Sequence, residues 1–140
     1  MEKVLVSACL LGVNCKYNGN NNKNDKVLEY IKDKQVIPIC PEILGGLSTP
    51  RTPSEVSNNR IITKDGKDVT SNYVKGAEEV LKLGKLLDVK KAILKSKSPS
   101  CGSGLIYDGT FSNNLTKGDG IATKLLKENN IEVLTEDDLW

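Results

Sequence analysis

Four short apolar runs, separated by polar or amphipathic stretches, constrain this chain more than any other feature. They are Lys3–Ala8 with its core Val4-Leu5-Val6, then Gln35–Cys40, Lys91–Lys95 around Ala92-Ile93-Leu94, and Ile131–Leu134. Each has strand length and turn-forming flanks, so each reads as a buried strand. Between them lie segments with helical spacing. Asp25 is expected to cap a short helix over Lys26–Lys34 whose inner face is Val27, Leu28 and Ile31. Thr70 or Ser71 is expected to cap a long helix to Leu87, with Val74, Ala77, Val80, Leu81 and Leu87 on one stripe. Gly76 and Gly84 either weaken that helix or allow close packing. Another helix begins near Asp119 and carries Ile121, Ala122, Leu125 and Leu126. Strands alternating with helices predict an α/β fold: a parallel, or mixed, sheet of about four strands with helices on both faces.

The remaining stretches read as loops. Gly19–Asn24 is composed entirely of Asn, Gly and Lys. Pro41–Asn59 holds three prolines and Gly45-Gly46 and reads as irregular; a loop so long inside a compact domain is often functional. Asp65-Gly66 between Arg60–Thr63 and Asp68–Thr70 signals a small β-hairpin inserted into the α/β plan. Ser98–Lys117 is a further loop with a small hairpin near Tyr107–Phe111. Thr135 and Asp138 have capping-box spacing.

A chain of 140 residues is expected to form one domain, 1–140, and can bury a core without disulfide staples. It has no apolar run of membrane-spanning length, and the apolar stretch after Met1-Glu2-Lys3 is too short for a secretory signal, so the expected location is cytoplasmic, with no membrane partner. A net charge of +2 is not the footprint of a duplex-DNA binder. The histidine count is zero. That excludes serine–histidine–aspartate triads, cysteine–histidine dyads and imidazole-ligated zinc. Acid/base work must fall to carboxylates, lysine, tyrosine, cysteine, serine or water. In a chain of this kind the four cysteines, Cys9, Cys15, Cys40 and Cys101, read as reduced, metal-binding or reactive rather than disulfide-paired.

Ligands of open parallel sheets bind beyond the carboxyl ends of the strands. Cys9, Cys40 and Cys101 fall at or just after three such ends, and Cys15 shares the loop of Cys9. Thiolates without imidazole select zinc or iron–sulfur clusters, and the scattered spacing lacks the paired knuckles of a zinc ribbon. Glu42, directly after Cys40-Pro41, is the best-placed acid/base candidate in a chain without histidine. Arg51 sits between Pro50 and Pro53 on a stiffened loop, suited to bind a carboxylate, a phosphate or a flat ring. Ser98-Pro99-Ser100-Cys101-Gly102 lets backbone approach a ligand closely and is not a phosphate-binding P-loop.

These segments carry a resemblance. Ser7-Ala8-Cys9-Leu10-Leu11-Gly12 with Cys15-Lys16-Tyr17-Asn18-Gly19 resembles the opening of the thiouracil desulfurase family, also catalogued as domain of unknown function 523. Cys40-Pro41-Glu42 with Gly45-Gly46-Leu47 and Pro50–Glu55 is similar to its second motif, and Ile93–Lys95 with Ser98–Gly102 to its third. Tyr107–Phe111 and Gly118-Asp119-Gly120 are also similar to family segments, while Lys16 and Asn18 stand where Arg and Asp are expected. The resemblance implies a [4Fe-4S] cluster held by three cysteines with one iron open. It implies a small thiolated pyrimidine as substrate, or a thiolated nucleoside or tRNA, whose ring sulfur is replaced by water oxygen without net redox change. Glu42 and Ser98 or Ser100 would handle the water and its protons. Strand-end placement favours Cys9, Cys40 and Cys101 as ligands; loop economy allows Cys9, Cys15 and Cys101. Two competing readings are a cluster-binding protein for redox sensing or sulfur carriage, and a nucleotide-binding domain with incidental cysteines.

Overall fold

The computed structural model describes residues 1–139. Its centre is a four-stranded parallel sheet of β1 (Lys3–Ser7), β2 (Gln35–Ile39), β5 (Lys91–Leu94) and β8 (Glu132–Thr135), in the order β2-β1-β5-β8. Leu5 lies opposite Ile37 on one side and Ala92 on the other. The expected α/β architecture is therefore present, and the sheet is parallel throughout.

Period-two alternation divides the core. Leu5, Ala92, Leu94 and Val133 face α3 (Thr70–Leu86) and α4 (Ile121–Glu128), where Val80, Leu126 and Ile131 complete one cluster. Val4, Val6 and Ile93 point the other way, onto Val27 of α1 (Asp25–Tyr30) and Leu10. Val4, Leu5 and Val6 are fully buried. Each contributes about 1.5–3 kcal/mol relative to an exposed side chain, so β1 is the keel of the fold.

Several local expectations are corrected. The cap of α1 is Asn24, whose Oδ1 accepts from the Val27 N–H at 3.1 Å, and the helix ends at Tyr30, four residues before Lys34. Asp25 instead occupies the first helical turn. The hydroxyl of Thr70 does not cap α3. It accepts from the Ile61 N–H at 2.8 Å, tying the helix start to β4 (Arg60–Thr63). The buried stripe of α3 keeps the expected Ala77 and Val80, with Leu81 and Leu87 packed against the core, but it also runs through Tyr73, Gly76 and Gly84, and Val74 is exposed.

The stretch 41–59 is not structureless. It contains the four-residue helix α2 (Pro41–Leu44) and β3 (Ser54–Ser57), which pairs antiparallel with β4. The hairpin turn is therefore Asn58-Asn59, both left-handed, and not Asp65-Gly66. Asp65-Gly66 still forms a tight turn, with the Gly66 N–H on the Thr63 carbonyl, but only the single bridge Ile62–Asp68 follows. A second hairpin, β6 (Leu105–Tyr107) with β7 (Leu115–Lys117), matches expectation, as does the capping box of Thr135 and Asp138.

One close approach positions α2. A Cβ built on Gly76 would lie 1.8 Å from the Pro41 carbonyl oxygen, and one on Gly45 would lie 2.0 Å from the Asn72 carbonyl oxygen. Backbone packs directly on backbone there, which only glycine permits. The Asn72 amide adds a bond to the Gly45 carbonyl at 2.9 Å. Close packing, not weakening of the helix, is the role of Gly76.

Candidate active site

A cavity of about 420 Å³ opens at the carboxyl end of the sheet. Cys9, Cys15, Cys40, Cys101, Glu42, Arg51, Ser98 and Ser100 all line it. The structure thus brings together every residue singled out for chemistry, from three strand ends and the loops behind them.

The thiols divide into three and one. Cys9 lies in a helical turn directly after β1, and Cys40 directly precedes α2. The intervening loop folds back so that Cys15 returns to them. The Asn22 N–H donates to the Cys9 carbonyl at 2.9 Å, Asn21 donates to Asn14 at 2.9 Å, and the Arg51 guanidinium donates to the Cys15 carbonyl at 2.8 Å. The neighbouring Cys15 thiol draws Cys9 down to about 7 and Cys40 to about 6 against the opposing effect of burial, and the Ile43 N–H helps Cys40. Cys15 is pushed up by the same two neighbours and by burial. Cys101 stands apart. Burial raises its thiol to about 12 although Ser100 and Ser7 donate to its sulfur at 3.5 and 3.6 Å. Strand-end placement favoured Cys9, Cys40 and Cys101, and loop economy Cys9, Cys15 and Cys101; all four line the cavity, with the Cys101 sulfur turned to the serines.

Opposite the thiols is a hydrogen-bonded wall. Glu42, in the first turn of α2, accepts from the Arg51 Nε at 2.9 Å and the Tyr73 hydroxyl at 3.0 Å through Oε1, and from the Ser100 hydroxyl at 2.9 Å through Oε2. Ser98 Oγ is 3.3 Å from Ser100 Oγ and accepts from the Cys101 N–H at 2.8 Å. A carboxylate and two hydroxyls form one continuous chain. Arg51 also donates to the Ser48 carbonyl and the Thr49 hydroxyl. With four N–H groups directed at protein acceptors it acts as a clamp between Glu42 and the Cys15 loop. Arg51 is a held arginine on a stiffened loop, as expected, and it lines the cavity.

Sequence reading missed three contributors. Tyr73 lies off the stripe expected for α3, and only its place on the Gly76–Ala77–Val80 face hints that its hydroxyl reaches Glu42. Burial and the Glu42 charge both push that hydroxyl upward, so it stays a donor. Ser7 accepts from the Lys95 N–H at 2.9 Å while donating to Cys101. Lys95 lines the cavity and pairs with buried Glu136 at 3.0 Å; Glu136 also accepts from the N–H and hydroxyl of Ser96. No local pattern announces this set, because its members meet only through strand pairing.

The sequence pattern of the 2-thiouracil desulfurase family matches residues 4–138. The chain belongs to that family. The Bacillus subtilis (strain 168) protein YbbK, itself uncharacterized, is 40% identical over 146 residues, covering 97% of each chain. Among solved structures, the [4Fe-4S]-dependent thiouracil desulfidase TudS (DUF523Vcz) superposes with a TM-score of 0.91 at 40% identity, covering 99% of this chain and 93% of that one. The segments that carry the resemblance supply much of the cavity lining, including Cys9, Cys15, Cys40–Glu42 and Ser98–Cys101. No helix of this family member, among the described residues, is long and apolar enough to cross a membrane.

Proposed function

We propose that this protein is a [4Fe-4S]-dependent desulfidase that converts free 2-thiouracil to uracil and sulfide. The observation that carries the reading is the meeting of the cysteine thiols with the Glu42–Ser100–Ser98 chain in one cavity. The donor set fits the cluster: all its candidate ligands are soft sulfur and no imidazole competes. Cys9, Cys15 and Cys40 would hold it and leave one iron open. When bound, the cluster supplies a Lewis-acidic site for the substrate sulfur.

The rest of the chemistry belongs to the chain. Replacing a thiocarbonyl sulfur by water oxygen yields a carbonyl and hydrogen sulfide, so no electron donor is consumed. The attacking water must lose a proton, and Glu42 is the acceptor. Ser100 donates to Glu42 Oε2 and can in turn accept from Ser98, so a proton entering at Ser98 reaches the carboxylate in two transfers. Arg51 and Tyr73 hold Oε1 and keep Oε2 facing the serines. Ser98 and Ser100 therefore both enter the relay, Arg51 positions it, and Cys101 packs behind Ser100.

The test is purification without oxygen, iron and sulfide analysis, and incubation with 2-thiouracil. Four irons and four sulfides per chain, with uracil and sulfide released in equal amounts, are expected. One zinc without sulfide would overturn the cofactor; a full cluster without turnover would favour sensing or sulfur carriage.

A further inference from the structure

The hairpin between β6 and β7 lies over the cavity with its tip held by one carboxylate. Glu55 Oε1, from β3, accepts from the Gly109 N–H at 3.0 Å and from the Phe111 N–H at 3.1 Å. Gly109 presses so close to β3 that a Cβ there would lie 2.6 Å from the Val56 carbonyl oxygen. Asp108 closes the turn by accepting from the Thr110 N–H and hydroxyl. At the apex Phe111 takes a left-handed backbone, φ 56°. A bulky side chain rarely adopts that conformation, and it persists only where surroundings over-determine it. Those surroundings leave the chain's single phenylalanine half-buried on the cavity wall, shared with the thiols and Glu42.

We propose that Phe111 is a substrate-contacting residue on whose ring a flat heteroaromatic base stacks, and that Glu55 is the positioning residue that holds it there. This rests on the desulfidase reading for the identity of the base, but not for the stacking. A π-face is what a planar ring needs and what an acyclic thiocarbonyl cannot use. The hairpin thus selects for the ring, while the thiols and Glu42 face the sulfur. Glu55, four residues after Arg51, steers the other side of the cavity from the same stretch of chain.

The test uses the cluster-loaded protein and two probes, uracil in equilibrium binding and thiourea, which carries the same N–C(=S)–N group without a ring. Base–aromatic stacking predicts that Phe111→Leu weakens uracil binding roughly 5- to 150-fold. Thiourea binding should stay within about twofold. Glu55→Ala should weaken uracil binding in the same direction, whereas Glu55→Gln, which keeps an acceptor oxygen, should restore it. If Phe111→Leu fails to fold, Phe111→Trp replaces it and should bind uracil as tightly as wild type or more tightly. Uracil binding unchanged in Phe111→Leu, weakened in Phe111→Trp, or lost in parallel with thiourea binding would overturn the assignment. Wild type that binds uracil through Phe111 but releases no sulfide from 2-thiouracil would instead overturn the desulfidase reading and leave this assignment standing.

Discussion

The two walls of the cavity are built on opposite plans. On the acid side, Glu42 has three donors, Ser100 and Ser98 are linked, and Arg51 and Tyr73 are fixed from behind. On the thiol side, Cys9, Cys15 and Cys40 come from two loops, and the Cys15 thiol draws the other two down. One wall is tied together by side-chain hydrogen bonds; the other gathers soft sulfur beside the strand ends.

The sharpest way to break this contrast is to remove sulfurs. Cys9→Ser, Cys15→Ser and Cys40→Ser should each lose the cluster, with iron near zero per chain and no turnover, because a three-thiolate site has no spare ligand. Cys101→Ala should keep its iron. Iron loss in Cys101→Ala with iron retained in Cys15→Ser would move the ligand set to the strand ends. Next comes the acid wall. Glu42→Gln preserves shape but cannot take a proton, so turnover should fall ~10²–10⁴-fold with iron content unchanged. Ser100→Ala should lie in the same direction, and a Glu42→Gln rate within about twofold of wild type would remove this wall from the mechanism.

A smaller effect belongs to the support behind it. Tyr73→Phe deletes one bond to a carboxylate, about 1.5–3 kcal/mol for a charged group. The expected outcome is a kcat roughly 10–100-fold lower at unchanged iron, with KM little altered. The smallest effect lies outside both walls. Burial pushes Glu136 upward, but the Lys95 ammonium and the Ser96 N–H outweigh it and hold the carboxyl below its ordinary value. A depressed carboxyl contributes stability above its unfolded pKa of about 4.3, and that stability is lost as pH falls through the lower folded value. Glu136→Gln should therefore flatten the acid limb of a stability-against-pH curve below about pH 4, measured by urea unfolding, and leave the curve above pH 6 parallel to wild type.

The parallel sheet and the gathering of cysteines at one cavity were legible because strand runs are short-range signals and because ligands of such sheets gather at strand ends. Glu42 stood out in a chain without histidine, while Ser98 and Ser100 entered through the family resemblance; all three line the cavity. What was not legible depended on contacts distant in sequence. The trio of thiols turns on a loop closed by Arg51, thirty-six residues from Cys15. Tyr73 lay off the expected stripe, and only the laying of α2 on α3 brings its hydroxyl to Glu42. Misread caps at Asp25 and Thr70 have a common cause: neighbouring Asn24 and the strand residue Ile61 competed for the same bonds. The stretch after Pro41 hid α2 and β3 because three prolines and two glycines mask periodicity, while the real turn at Asn58-Asn59 lacks the glycine that usually marks one.

The glycine contact between α2 and α3 has a consequence for the dimensions of the cavity. With two methyl groups absent at Gly45 and Gly76, the segment bearing Glu42 is seated at the shortest separation two backbones allow. A larger side chain at either position would push α2 off α3 and carry the acid away from Ser100. The hairpin tip bearing Phe111 is seated in the same manner, Gly109 against the Val56 carbonyl, with Glu55 as its tie. Three missing methyl groups thus set the distance between the acid and the aromatic ring that shares its cavity.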